Sequence, residues 1–287
     1  MSKFGFIILH YQTIEETKNC IASIQKCLTD ENYVIIVVDN ASPDGTGKRL
    51  LDQYSEDIRV KVLLNNENLG YARGNNVGFS YAKNVLKCDY ITLLNSDTVM
   101  IQKEFCKIIE KEYLDSHCAV MGPLILKNGK ETINNPGRRK PFSKGMLIMF
   151  IWMNKLLWVL SFCCLDLILA KLFDLYVMLN KKIQTVEDVG RVENVALHGC
   201  CLVLTPLFID NEDGLDPRTY MYLEEDILYE KMRMKHLTMV YLPELKIEHI
   251  EEVTTTKSFG NKRYKRRFIY KNMIHSGYVL LQIKKNN

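Results

Sequence analysis

The chain contains no C-x-x-C pair, and its nine cysteines are an odd number, scattered singly or as adjacent pairs. That pattern argues against a disulfide framework or a zinc site, and it reads as the reduced thiols of a cytosolic protein. No long apolar leader opens the chain: MSKFGFIILHYQT offers only a short run before His10. It has neither the h-region nor the small-residue cleavage site of a secretory signal. Repeats and low-complexity tracts are also absent. Excess charge is scarce: a net +4 permits an anionic partner without demanding one. No recognised nucleic-acid module is present, so nucleic acid is not expected as a partner. The common phosphate loops are missing too. GTGKRL (45–50) has Ser42 where the first Walker glycine belongs and Arg49 where Ser or Thr is needed. No G-x-G-x-x-G follows the first expected strand, which excludes the dinucleotide fingerprint.

What is present is a globular composition, 47% hydrophobic and 25% charged over 287 residues, enough for a substantial core. The first hundred residues alternate strand and helix. FGFIIL (4–9), YVIIVVDN (33–40), VKVLLN (60–65) and YITLLN (90–95) read as buried strands. TIEETKNCIASIQKCL (13–28) has apolar residues at helical spacing, with Thr13 and Glu16 as a capping box. YARGNNVGFSYAKNVL (71–86) reads as a second helix despite its glycines. Such βαβαβ alternation implies an α/β fold with a Rossmann-like, mostly parallel sheet and helices on both faces. After residue 122 the pattern changes to a basic, loop-rich tract with an Asn-Gly hairpin signal. A hydrophobic stretch, 145–182, follows, and then an acceptor-side half, 186–287, that ends in a basic segment. We expect one domain over 1–287, with its nucleotide-binding half in 1–122.

The strand ends carry the chemistry. HYQT, DNAS, NNENLGYARGNN and NSDT all fall on one edge of such a sheet, where open α/β folds bind ligands. NSDT by itself is also an ordinary turn, since Asn, Ser and Asp bond their own backbone. Asp39 can accept the N3–H of a uracil or thymine ring, with backbone near Tyr11 meeting its carbonyls. Gly70 and Gly74 allow close backbone approach to a ligand. Arg73 brings positive charge to a diphosphate, and Asp97 can hold a divalent cation bridging two phosphates.

VVDNASPDGT (37–46), NENLGYARGNNVGFSYA (66–82), LLNSDT (93–98), GLDPRTYMYLEEDILYEKM (214–232) and KIEHIEEVTT (246–255) stand in an order that resembles the family-two glycosyltransferases with the GT-A fold. The resemblance covers most of the chain. It implies an inverting transfer of a sugar from a UDP or dTDP donor to a hydroxyl. Asp39 and Asn40 would then contact the nucleotide, which Tyr11, Asn68, Gly70, Arg73, Asn75, Asn76 and Ser96 would frame. Asp97 would bind Mn2+ or Mg2+, with His249 as a further ligand, since a neutral imidazole suits manganese. Asn95 replaces the first acid of a full D-x-D.

Such a transfer needs a carboxylate base within hydrogen-bond reach of the acceptor hydroxyl. YLEED places Glu224, Glu225 and Asp226 at a helix start, where the helix dipole favours negative charge. The family's base is the second acid of the pair, which points to Glu225, with Asp226 as the alternative one residue on. Asp216 in GLDP is a candidate for positioning the acceptor.

Between Lys155 and Lys171 lie only fifteen residues, interrupted by Asp166, which is short for a membrane span. A buried helix pair and an interfacial element with Trp152 and Trp158 at headgroup depth both fit. The run Lys257–Lys271 has seven Lys or Arg and no acid, which suits an anionic leaflet or a lipid diphosphate. The expectation is a peripheral enzyme on the cytoplasmic face of the cell membrane, using a lipid-linked or oligosaccharide acceptor in surface polysaccharide synthesis. Two rivals are weighed. A sugar nucleotidyltransferase would need a glycine-rich basic loop that ILHYQTIEET lacks. A catalytically inactive binding or scaffold protein is favoured slightly by Asn95 and opposed by the intact EED.

Overall fold

The computed structural model describes residues 1–29, 31–127, 129–131, 135–136, 140–169, 190–250 and 262–285. Parts of several sequence features lie outside the described residues: Asn128 of the Asn-Gly signal, 170–182 of the hydrophobic stretch, 251–255 of KIEHIEEVTT and 257–261 of the basic run.

The elements run β1 (Phe4–His10), α1 (Ile14–Cys27), β2 (Tyr33–Asp39), α2 (Thr46–Gln53), β3 (Val60–Leu64), α3 (Gly70–Ser80), β4 (Tyr90–Asn95), β5 (Thr98–Met100), α4 (Phe105–Ser116), β6 (Val120–Lys127), β7 (Lys130–Glu131), α5 (Lys144–Leu160), β8 (Val192–Glu193), β9 (Cys201–Leu204), α6 (Pro206–Asn211), α7 (Glu224–Met234), β10 (Met239–His249) and α8 (Lys262–Lys285). β3, β2, β1 and β4 pair in parallel, in that order. The sheet then continues through β9, antiparallel to both β4 and β6, and β10, parallel to β6. β7 pairs antiparallel with β6, with Lys127 opposite Lys130.

Why these strands are buried on both sides follows from their side-chain period of two. Phe4, Phe6 and Ile8 join Ile21 and Ile24 of α1 and Phe105 and Ile109 of α4 in one cluster. Ile7, Ile36 and Val38 point the other way, onto Phe79 of α3, Phe208 of α6 and Leu228 of α7. Each strand therefore reads as a continuous apolar run, as doubly covered parallel strands do. A third cluster joins Leu147 and Ile151 of α5 to Val279 and Leu280 of α8 and to Ile227 of α7. It ties the helical pair to the back of the helix that carries the EED acids.

Two local expectations are corrected. Thr13 stands at the N-cap of α1 but makes no side-chain cap bond. Its hydroxyl instead meets Ser96 Oγ at 2.9 Å, because the two strand ends crowd together there. The hydrophobic helix is also longer than a count from Lys155 suggests. With a 3-10 turn it runs over Lys144–Cys163, 20 residues whose most apolar 18-residue window has a mean hydropathy of 1.8, long and apolar enough to cross a bilayer by length and composition. One side packs on α8, where Gly277 lets Ile151 approach closely. The other side exposes Met149, Trp152, Met153, Leu156, Val159 and Phe162.

Candidate active site

A cleft of about 700 Å³ opens at the carboxyl ends of β1, β2 and β4, between those strands and the loop leading into α7. Tyr11, Asn40, Asn68, Gly70, Ser96, Asp97, Glu225 and His249, all singled out from the sequence, line it.

Asp97 and His249 meet because of strand register. β5 pairs antiparallel with the end of β10, setting Thr98 opposite His249, and Ile250 N–H donates to Asp97 O at 2.9 Å. His249 Nε2 then lies 3.1 Å from Asp97 Oδ1, with both side chains over nine-tenths buried. His249 Nδ1 is buried with no hydrogen-bond partner. A carboxylate and an imidazole this close are the donor types for a hard or borderline divalent cation. Among the described residues no third His, Cys, Asp or Glu completes a cluster. The pair fits a Mg2+- or Mn2+-type site, which commonly takes one or two side chains and fills its remaining positions with water and phosphate oxygens.

The nucleotide end is organised by Asn40. Its amide donates to Asn68 Oδ1 (2.9 Å) and Gly70 O (3.1 Å), and its oxygen accepts from Asn65 Nδ2 (3.1 Å) and Leu69 N–H (3.0 Å). One buried side chain thereby fixes the loop entering α3. Asp39, also buried, closes the preceding turn by accepting the Ser42 hydroxyl at 2.5 Å. It stands next to the lining residue Asn40 but not among the lining residues themselves. Gly70 has φ +78°, and a Cβ there would run into the Tyr220 carbonyl oxygen. Its need for glycine is set by the protein's own backbone: Tyr71 N–H donates to Tyr220 O at 2.8 Å.

Four sequence candidates point elsewhere. Ala72 and Gly74 turn α3 toward the sheet, so Arg73 faces solvent, with Glu67 4.0 Å away. Asn75 bonds the Tyr71 carbonyl within its own helix at 3.0 Å. Asn76 pins the 214–215 turn, accepting from Leu215 N–H (2.7 Å) and donating to Leu215 O (2.8 Å). Asp216 is forked by Arg218 at 2.8 and 2.6 Å. Burial pushes that carboxyl up, but the bonds to Arg218 outweigh it and hold the pKa below its ordinary value.

The α7 entry is bent sharply: Tyr222 and Leu223 both have positive φ, 74° and 64°. Left-handed backbone is costly for residues with a Cβ, and such strain clusters at functional sites. The bend turns Glu224 and Glu225 into the cleft, whereas Asp226 is not among its lining residues. Glu225 Oε1 accepts from Gly199 N–H at 3.2 Å, and Tyr71 OH donates to Gly199 O at 2.5 Å. Burial, and then Glu225 beside it, pushes Glu224 up to about 7. Its Oε1 is buried with no hydrogen-bond partner.

The sequence reading passed over the rest of the wall. His198 and Cys200 come from the loop before β9, Tyr220 and Tyr222 from the α7 entry, and Tyr264 and Phe268 from α8. HGCC and TYMY were visible as polar and aromatic interruptions, but nothing local placed them opposite NSDT. Arg263, Arg266 and Arg267 of the basic run meet the segment at and just beyond the end of α5, Arg263 at the surface. Arg266 Nε reaches the fully buried Asp166 at 2.6 Å, Arg267 stacks 3.9 Å over Phe162, and Arg263 bonds Cys164 Sγ. Lys262 and Lys271 are exposed.

A family model described as Glycosyl transferase family 2 matches residues 6–173, more than half of the chain. The match includes Asp39 and Asp97 and ends before Glu225 and His249. The chain is similar to glycosyltransferase GlyG of Streptococcus pneumoniae serotype 4, 33% identical over 106 residues, 36% of this chain and 34% of that protein. It is similar along almost its whole length to the low-salt glycan biosynthesis hexosyltransferase Agl10 of Haloferax volcanii, 21% identical over 280 residues, 96% of this chain and 78% of that protein. This chain thus aligns with only about a third of GlyG. Among solved structures it resembles GalNAc-T7 crystallised with UDP, GalNAc and Mn2+, at TM-score 0.60 and 15% identity, over 88% of this chain and 45% of that one. At that identity the likeness concerns the fold, which is of the GT-A type.

Proposed function

The chain belongs to glycosyl transferase family 2, and from that premise we propose that it is an inverting glycosyltransferase acting on a UDP- or dTDP-sugar. The observation that carries this reading is one cleft holding the Asp97–His249 pair on one wall and Glu225 on the other. The diphosphate lies at Asp97 and His249, where a bound divalent cation would neutralise the leaving charge. The nucleobase end lies at Asn40, beside Asp39.

Glu225 accepts the proton of the acceptor hydroxyl. As it does so, the hydroxyl oxygen bonds the anomeric carbon and the bond from that carbon to the diphosphate breaks, its electron pair leaving with the diphosphate. Gly199 N–H holds the Glu225 carboxylate in place, and Tyr71 holds Gly199.

The acceptor is a lipid-linked saccharide of cell-surface polysaccharide synthesis. The protein works at the cytoplasmic face of the membrane, with α5 lying in the interface. Support comes from the exposed apolar side of α5, with Trp152 65% exposed, and from α8, which backs α5 and lends Tyr264 and Phe268 to the cleft. Incubating the protein with a panel of nucleotide sugars and Mn2+ tests the reading. Slow release of UDP or dTDP from one donor, accelerated by a lipid-linked acceptor, is expected. No release from any donor would contradict it.

A further inference from the structure

His198 lines the cleft, yet the roles above do not use it. Its backbone is anchored. The His198 N–H donates to Asn135 Oδ1 at 3.2 Å, and buried Asn135 donates in turn to Pro123 O at 2.6 Å. Its ring is fixed as well, because Cys200 N–H donates to Nδ1 at 3.2 Å. A donor facing Nδ1 requires a lone pair there, so the neutral imidazole carries its proton on Nε2.

The His249 ring stands 5.9 Å from this ring, centroid to centroid. On the other side Gly199 holds Glu225 Oε1. The three residues His198, Gly199 and Cys200 therefore span the cleft from the Asp97–His249 pair to the base. A histidine in that place resembles a third metal ligand. The backbone of Cys200 rules this out in the neutral ring, because a nitrogen that bears a proton has no lone pair to give a cation. What such a nitrogen serves is a hydrogen-bond acceptor, and between the Asp97–His249 pair and Glu225 the proposed function puts the diphosphate oxygens.

We propose that His198 is a catalytic residue whose Nε2–H donates a hydrogen bond to an oxygen of the departing nucleoside diphosphate, rather than a metal ligand. The inference rests on the glycosyltransferase reading above. No proton is transferred in this contact. The hydrogen bond strengthens as negative charge gathers on the diphosphate during cleavage, the kind of donor whose removal typically costs about 10²–10³-fold in kcat.

The test compares His198→Phe, which keeps a ring and removes the donor, with His198→Gln, which restores an N–H. His198→Ala serves as a second donorless variant should the Phe ring not be accommodated. Calorimetry with UDP and with uridine, in metal-free buffer and with Mn2+, is run beside turnover. The donorless variants are expected to lose about 100-fold in kcat. They should weaken UDP binding about tenfold even without metal, a loss in the range of one hydrogen bond to a charged group. Uridine binding and the Mn2+ concentration for half-maximal turnover should not change, and His198→Gln should recover most of both losses.

Equal turnover and UDP affinity in native and donorless proteins overturns the proposal. So does a variant set in which Gln is no better than Phe or Ala, the mark of a purely structural role. A raised Mn2+ requirement with unchanged metal-free UDP binding would make His198 a ligand and also overturn it. A native protein that binds no UDP or dTDP at all removes the UDP- or dTDP-sugar reading, and this inference with it.

Discussion

Replacing Glu225 by Gln keeps the side chain's shape and removes its basicity, so donor binding should survive while turnover falls by about 10²–10⁴-fold. Asp226→Asn, outside the cleft lining, should leave turnover within a few-fold of native. Steady-state kinetics on the two variants separates the adjacent acids. Glu224 makes a different prediction. Its folded-state pKa, about 7, lies above the ordinary 4.5, so the folded protein holds that proton more tightly than the unfolded chain. Its contribution to stability is therefore complete below about pH 4.5 and is lost as pH rises through 7. Melting temperature should decline across that interval in the native protein, and Glu224→Gln should flatten the decline. An equal slope in both proteins would place the titration elsewhere. At this scale the place of Asp97 and Glu225 in the cleft wall was legible because each sits in a short polar motif at a strand or helix end. Arg73, Asn75 and Asn76 lie outside the cleft lining, because a helix's amino acids do not say which side of it will meet the sheet. His198 was not legible, since its placement depends on Asn135, far away in sequence.

Among the elements, the first four strands and the helices α1 and α3 could be read directly, because doubly covered parallel strands are uninterrupted apolar runs; α2, between β2 and β3, was not read. The second half of the sheet could not. β9 joins β4 to β6, and β10 reaches β5 only after its register with β6 shifts between Leu242 and Lys246. That shift follows Pro243, which has no N–H for a ladder. No local pattern announces these pairings, and it is the β5–β10 pairing that brings His249 to Asp97. The contact between α3 and the α7 entry is the second device of this kind. Gly70→Ala should destabilise the protein by at least about 1–2 kcal/mol, from the left-handed backbone alone. The collision with Tyr220 O should also displace the bend that presents Glu225, so the surviving folded protein should show lowered kcat. Urea unfolding together with kinetics checks both parts. A variant as stable and active as native would mean that the two segments need not approach so closely.

Across the whole molecule, the sheet edge faces the cleft while the α5–α8 pair stands beside it with an apolar flank. A contiguous exposed apolar surface of this sort commonly marks an interaction site. Exposed Lys262 and Lys271 on α8 add charge suited to an anionic lipid surface. Trp152→Glu with Met149→Glu should abolish co-flotation with vesicles containing anionic lipid and leave UDP binding unchanged. Persistent flotation of that double variant would remove α5 from the membrane contact. The measurement that tests the central claim most directly is calorimetric titration of UDP and of dTDP into the native protein and into Asp97→Asn, each with and without Mn2+. The account predicts that at least one of the two nucleotides binds the native protein about tenfold or more tightly with Mn2+, and that this metal-dependent gain is lost in a folded Asp97→Asn protein. Binding with no metal dependence in the native protein, or a gain that survives in Asp97→Asn, would contradict it.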